Sequence, residues 1–360
     1  MQKLFDEKKK VYSFSKLGTI DQCEYQAFLT YIEHQKGSQN CYSIMGTKMH
    51  DTLEAIMNDK ATEKDLYPAL QSELSDIDML NIKFPKDRNG NNSIRDNWIK
   101  DMTHFCNHFI RPKGKYTTEE LFIYKLSDDR YIQGYIDLVK HNADGTISIY
   151  DWKTSSQFSK ADLIEHGRQL ILYGLGKEAE GFKIKNLAWI MLKYIQIDYM
   201  GKSRSNSKTE TLQTKIVNRW KLVQELKEDI ENNLYKLGYE EVDVECLIHN
   251  ALESNSLDGL PKEIKEKYTI KPYVRKYEFT DELKQETLKY VNDMANKFES
   301  KSKDENEWIH KRFTKVSKSG KETDDSFFCN TLCNHKNTCK YLKQYNDLRK
   351  LNNAEDEDLF

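Results

Sequence analysis

The sequence predicts an α/β protein: a mixed central β-sheet flanked by helices, with a helical insertion before the sheet and a helical extension after it. Three observations carry that prediction. First, β-rich runs at Leu121–Leu126, Tyr131–Val139 and Thr146–Trp152 follow one another across short polar turns, as a meander does. Second, an amphipathic helix and a further apolar strand come next, which returns the chain to the same sheet. Third, segments of helical period stand on either side, in a chain with only 5 prolines and 15 glycines among 360 residues.

In order along the chain, Phe14 to about Glu33 reads as a helix opened by Ser15, with Leu17, Ile20, Tyr25, Phe28, Leu29 and Ile32 at apolar positions. A second helix starts near Ile44 and carries Met45, Met49, Leu53 and Ile56 on one side. Residues 60–115 read as mainly helical, interrupted by the turn-rich stretch Lys86–Ser93. The hairpin turns of the meander are Ser127–Arg130 and Asn142–Gly145. The covering helix runs from about Lys160 to Lys177, and the returning strand is Leu187–Ile197. Gly201–Lys208 is a polar, basic loop. Helices over Thr211–Leu237 and Asp281–Ser300 flank a less regular region, and the acidic run Glu355–Asp358 reads as a frayed tail. The implied division is 1–115 for the N-terminal helical part with Cys23 and His50, 116–200 for the core sheet and helix, 201–305 for a helical extension, 306–345 for a cysteine segment and 346–360 for the acidic tail.

Apolar residues make up 38% of the chain, charged residues 32% and aromatics 11%, which supports a packed core under a charged surface and excludes wholesale disorder. Lys+Arg and Asp+Glu nearly cancel at 56 against 58, so any polyanion partner must be met by local charge. The first residues, MQKLFDEKKKVYSF, form no apolar signal core, and no run approaches the ~18 apolar residues of a membrane span. The expected location is therefore the reducing cytoplasm, with no membrane contact, where the seven cysteines read as thiols or metal ligands before disulfides. No G-x-x-x-x-G-K-[ST] loop occurs, which excludes an ATP-driven motor in this chain.

The chemistry concentrates in Gly134-Tyr135-Ile136-Asp137 and, one hairpin later, Asp151-Trp152-Lys153. Each aspartate interrupts apolar β-formers, where an unpaired charge is costly. Acids on neighbouring antiparallel strands repel unless a cation sits between them, and a hard divalent ion with oxygen ligands answers that need. Asp151 and Lys153 are two residues apart in a strand, so they share a face. Such a set suits phosphodiester hydrolysis: the ion lowers the pKa of a water, and the lysine positions it, deprotonates it or stabilises the transition state. The competing reading leaves both acids as strand-end residues and Lys153 as a solvated surface lysine. The paired hairpin setting favours the site.

These lines resemble the PD-(D/E)XK nuclease superfamily, in particular its RecB-like branch, in which a G-x-[IV]-D strand precedes a D-x-K strand. Gly46-Thr47-Lys48-Met49-His50 with Glu54 is similar to the branch's G-x-x-x-H-x-x-x-E helix, and Gln169 with Tyr173 to its Q-x-x-x-Y helix. Phe14, Ser15, Cys23 and Phe28 match its opening pattern. The resemblance covers about residues 13–195 and the C-terminal cysteines. It implies a restriction-endonuclease-like core, a Mg²⁺ or Mn²⁺ held by His50, Asp137, Asp151 and the Trp152 carbonyl, and Lys153 as the catalytic lysine. Gln169 and Tyr173 would support the lysine or the DNA, and either Glu119 or Glu120 would supply a further acid.

Cys329, Cys333 and Cys339 have C-x3-C-x5-C spacing in a polar segment, which suggests metal or cluster ligation by exposed thiols, with Cys23 as fourth ligand if the termini meet. All-thiolate ligation suits a 4Fe–4S cluster or zinc. AddB-like and CRISPR-adaptation-type nucleases show this layout of an early cysteine and three late ones around an iron–sulfur cluster, with C-x2-C-x5-C as their late spacing. Zinc bound by three cysteines and His335 is the main alternative, and thiols that hold no metal are another. Cys41, Cys106 and Cys246 show no ligand spacing and read as ordinary buried or partly buried thiols.

The expected activity is metal-dependent hydrolysis of DNA phosphodiesters. The branch implies exonuclease action at ends or on single strands, in phage recombination, DNA repair or CRISPR-type processing, with a helicase, recombinase or integrase as partner. The loop 201–208 reads as a solvated loop or a DNA contact. The alternatives are a catalytically silent nucleic-acid-binding or scaffold protein of the same fold and an RNA-directed nuclease.

Overall fold

A computed structural model of the chain describes residues 9–87, 89–202, 210–318 and 320–357. The short strand β1 (Lys10–Ser13) leads into helix α1 (Phe14–Gln22). Three helices follow, α2 (Cys41–Met57), α3 (Leu66–Met79) and α4 (Ser93–His108). The meander is β2 (Lys115–Lys125), β3 (Arg130–His141) and β4 (Ile147–Lys153). It is antiparallel throughout, and its two reverse turns fall where the polar tetrapeptides predicted them. Helix α5 (Lys160–Ala179) then crosses to β5 (Ile184–Lys202), which runs parallel to β4.

The sheet has seven strands and is mixed: β1 is parallel to β3, β5 is parallel to β4, and β6 (Glu210–Asn218) and β7 (Tyr268–Tyr277) pair antiparallel with β5. Helices α6 (Leu222–Lys236) and α7 (Glu241–Ser254) lie between β6 and β7, α8 (Asp281–Glu299) follows β7, and α9 (Lys340–Glu357) ends the described chain. One core layer packs α5 and α8 on Ile132, Ile136, Ile149, Trp189 and Met191 of the sheet. A second packs α2, α3 and α4 against Leu138, Trp152 and Leu192, and a third fills the C-terminal helices. Among the described residues, no helix is long and apolar enough to cross a membrane.

Several boundaries depart from the sequence expectation. The first helix is capped by Ser13, whose hydroxyl accepts from Lys16 N at 3.2 Å, and not by Ser15. It also ends at Cys23, whose φ of −163° is extended, so the next turns, Glu24–Ala27 and Phe28–Ile32, start in a new direction. The helix expected from Thr211 begins only at Leu222; residues 210–218 are β6. Leu212 and Ile216 are exposed there, so no apolar stripe is available to hold a helix, and nine ladder pairs with β5 decide the matter. The region expected to be irregular contains α7 and β7. Glu355–Glu357 are helical where a frayed tail was expected, and Asp358, the last residue of that acidic run, lies outside the described residues. Most of the basic loop lies outside the described residues; Gly201 and Lys202 end β5.

Candidate active site

Helix α2 delivers His50. Asn40 and Ser43 form a capping box at its start, with Ser43 N donating to Asn40 Oδ1 at 3.0 Å. Met45, Met49, Leu53 and Ile56 bury one face, and His50 lies half-buried beside it. β3 and β4 deliver the acids. The register Leu138↔Tyr150 places Asp137 and Asp151 opposite each other one step further on. His50 Nδ1 is 3.4 Å from Asp137 Oδ2, the same oxygen that accepts from Trp152 N at 3.0 Å. Lys153 Nζ is 2.7 Å from Asp151 Oδ2, and the Trp152 backbone acts on the His50 ring so as to favour its charged form. The helix histidine, both strand acids and the lysine therefore meet in one place.

The electrostatics follow from burial. Asp151 is only 2% exposed. Burial, then the Asp151 charge, push the Asp137 carboxyl up to about 8. Burial pulls the Lys153 ammonium down, but the Asp151 charge and hydrogen bond outweigh it and hold it above its ordinary value. Burial lowers His50, against the pull of Asp151, which keeps the imidazole neutral and able to ligate.

Helix α5, capped by Ser159 and Asp162, supports this cluster. Gln169 Nε2 donates to Tyr173 Oη at 2.8 Å, and burial followed by the charges of Asp151 and Asp137 holds the Tyr173 hydroxyl well above its ordinary value. The sequence reading missed His166, which stacks on Phe158 at 4.3 Å and whose titration is lowered by burial and next by Lys153. Its signal was available: 166, 169 and 173 fall on one helical face.

The structure also separates the two glutamates. Glu120 is spent on Lys177, at 2.5 Å. Glu119 makes no ladder pair opposite Asp137, adopts φ +48°, and its charge reaches Asp137 and Tyr173. A non-glycine residue held in that region is costly, and such strain gathers at functional sites. Gly134 is needed for another reason: a Cβ there would come within 2.9 Å of the Phe122 ring.

As the side chains stand, Asp151 is turned to Lys153 and Asp137 to the Trp152 N–H, and among the described residues no three His, Cys, Asp or Glu side chains form a closed ligand set. The donor chemistry fits a hard divalent ion all the same. Two mutually repelling carboxylates, a neutral imidazole and a backbone carbonyl are oxygen-rich and carry negative charge that a cation would relieve.

Cys23, Cys329, Cys333 and Cys339 line one cavity of about 20 Å³. Cys329 and Cys333 are buried, not the exposed thiols expected, because Phe313 and Leu342 pack over the segment. Burial, then the neighbouring thiols, push Cys329 up to about 12. Burial raises Cys333 to about 11, against a backbone N–H from His335. Backbone N–H groups already point at the sulfurs: Lys311 N donates to Cys23 Sγ at 3.3 Å and His335 N to Cys333 Sγ at 3.4 Å. These donors suit thiolate ligands. The His335 ring is committed elsewhere, at 2.9 Å from Thr30 Oγ1 and 3.4 Å from Thr338 Oγ1. Of the remaining cysteines, Cys41 and Cys106 are buried as expected and Cys246 is exposed.

A seven-stranded mixed sheet flanked by helices, with these side chains at its centre, is a restriction-endonuclease-like α/β fold. The chain belongs to the PD-(D/E)XK nuclease superfamily, whose family model matches residues 11–340. No curated protein matches it. Membership implies a metal-dependent nuclease, acting on nucleic acid with a divalent ion such as Mg²⁺ or Mn²⁺.

Proposed function

We propose that this protein is a Mg²⁺- or Mn²⁺-dependent deoxyribonuclease of the RecB-like, AddB-like branch, acting as an exonuclease on DNA ends or single strands. The supporting observation is the meeting of His50, Asp137, Asp151 and Lys153 within hydrogen-bonding and ion-pair distances. His50, Asp137, Asp151 and the Trp152 carbonyl would hold the ion. Bound there, it supplies a water of lowered pKa and positive charge for the phosphate.

The chain's own residues do the rest. Lys153, held protonated by Asp151, is an electrostatic partner and not a base: it orients the attacking water and stabilises negative charge on the phosphoryl oxygens. The Trp152 N–H fixes the Asp137 carboxylate. Gln169 occupies the acceptor side of the Tyr173 hydroxyl, which leaves its proton to donate toward the acids or the substrate. Glu119 is the further acid of the site.

Cys23, Cys329, Cys333 and Cys339 would carry a 4Fe–4S cluster with a structural role. Both His335 ring nitrogens have hydroxyl partners, which weighs against zinc held by three cysteines and that histidine. The biological setting consistent with this reading is phage recombination, DNA repair or CRISPR-type DNA processing, beside a helicase, recombinase or integrase.

End-labelled single-stranded DNA, double-stranded DNA and RNA of one sequence, incubated with Mn²⁺ and either wild type or Lys153→Ala, test the proposal. Wild type should shorten DNA from an end and the variant should not. Equal cleavage by both proteins would refute the assigned site. DNA binding without cleavage by wild type would make the protein a silent binding module, and preference for the RNA would overturn the DNA assignment.

A further inference from the structure

Behind the catalytic strands lies a cavity of about 720 Å³ that the nuclease reaction does not use. Tyr150 and Trp152, the neighbours of Asp151 on β4, line it, together with Leu138, Leu192 and Leu257. Its size and mainly apolar walls are those of a site for a small organic molecule.

Two buried polar side chains face it with hydrogen-bonding capacity that the described residues leave unused. Arg219 is 5% exposed, and its Nε donates to Leu192 O at 2.5 Å. Its two terminal nitrogens make no hydrogen bond to any described residue, and it has no ion pair among them. Asp101, the acid nearest in influence, is spent on Asn218 Nδ2 and Trp220 N, each at 3.0 Å. The guanidinium lies over the Phe105 ring, 5.1 Å from its centre. His104, 9% exposed, has neither ring nitrogen hydrogen-bonded and stacks on His108 at 4.1 Å.

A buried guanidinium without a counter-charge is costly, and burial lowers Arg219 to about 10 even with Asp101 acting against it. The other cations of the lining are already matched, Arg111 by Asp59 and Lys271 by Asp198, except the exposed Lys113. Asp258, the acid of the lining, is on its exposed rim.

We propose that this cavity binds an amphipathic organic anion, with its carboxylate or phosphate on Arg219, a polar atom on His104 and its apolar or aromatic body against Trp152, Leu192 and Leu257. A fatty acid and a nucleoside monophosphate both offer that chemistry.

The test is calorimetric titration of the full chain in EDTA with four separate probes: decanoate, decanol, deoxyadenosine monophosphate and inorganic phosphate. Decanoate or the nucleotide should bind one to one, and whichever binds identifies the source. Arg219→Met should weaken that probe at least ten-fold while leaving decanol unchanged. Inorganic phosphate binding as tightly as either organic anion, no saturable binding by either, or unchanged binding by a folded Arg219→Met protein would each overturn the proposal. If that variant does not fold, Ile190→Trp narrows the cavity from β5; it should abolish binding, and undiminished binding would refute the site.

Discussion

Replacing Asp137 with asparagine should stabilise the metal-free protein while destroying its activity. In the folded chain without an ion, the Asp137 carboxyl titrates near 8, against an ordinary value of 3.8. Between those values the unfolded chain has released the proton and the folded chain still holds it. Stability therefore falls as pH rises, by about 1.4 kcal/mol per pH unit, and the loss is complete only above the folded value. From pH 4 to pH 7 this amounts to a ceiling of about 4 kcal/mol. Asparagine keeps an oxygen for the Trp152 N–H and removes the group that must take up a proton on folding, so it should recover about half of that ceiling or more, roughly 2–4 kcal/mol at pH 7 and little at pH 5. Urea denaturation of both proteins between pH 5 and 8 in EDTA measures the gap. Adding Mn²⁺ should stabilise wild type and leave the variant unchanged, because binding to the folded state alone shifts the equilibrium. A variant less stable than wild type at pH 7.5 in EDTA, or a gap independent of pH, would refute the electrostatic account of this site.

Three further outcomes are expected. Lys153→Met should lower the cleavage rate about 10²–10³-fold while Mn²⁺ still raises the melting temperature, since in the proposed role the lysine would stabilise charge on the phosphate and ligate nothing; single-turnover assays beside thermal melts check both halves. Gly176→Ala should cost about 1–3 kcal/mol, because the new Cβ would sit 2.4 Å from the Phe122 ring in the layer that seats α5 on the sheet; urea denaturation reads the loss. Cys333→Ser should remove the brown colour of anaerobically purified protein and open the segment after Trp308 to limited proteolysis, whereas an unchanged spectrum would rule out the cysteine as a cluster ligand.

The meander, the crossover helix and the returning strand were legible because alternating β-formers, turn residues and a helical stripe each leave a local pattern. The acids and the lysine were legible for the same reason: their spacing on adjacent strands fixes their faces, and the structure brings them together with His50. What escaped depends on distant partners. β6 carries no strong pattern and is a strand because β5 offers it an open edge. The choice between Glu119 and Glu120 turns on one backbone angle and on Lys177, which arrives from α5. Arg219 reads as one more surface cation in a lysine-rich chain, and only the assembled walls show it to be buried.

The break at Cys23 links the two ends of the molecule to its chemistry. An unbroken helix from Phe14 to Glu33 would carry the Cys23 thiol along a different path. Ended by the extended backbone at that residue, α1 leaves the sulfur facing Lys311 N and the late cysteines. Glu24, the next residue, holds Lys297 at 2.8 Å and Lys301 at 2.7 Å, which fastens the end of α8 to the same spot. From there the cysteine segment reaches α2: Asn40, the cap of the helix that carries His50, donates from Nδ2 to Leu332 O at 2.9 Å, and Ser38 N donates to Asn334 O at 2.6 Å. Ten residues of helix, about 15 Å, separate that anchor from the histidine. The start of α2 is thus tied to the cysteine segment, while its middle packs on the sheet beside Leu138 and Trp152.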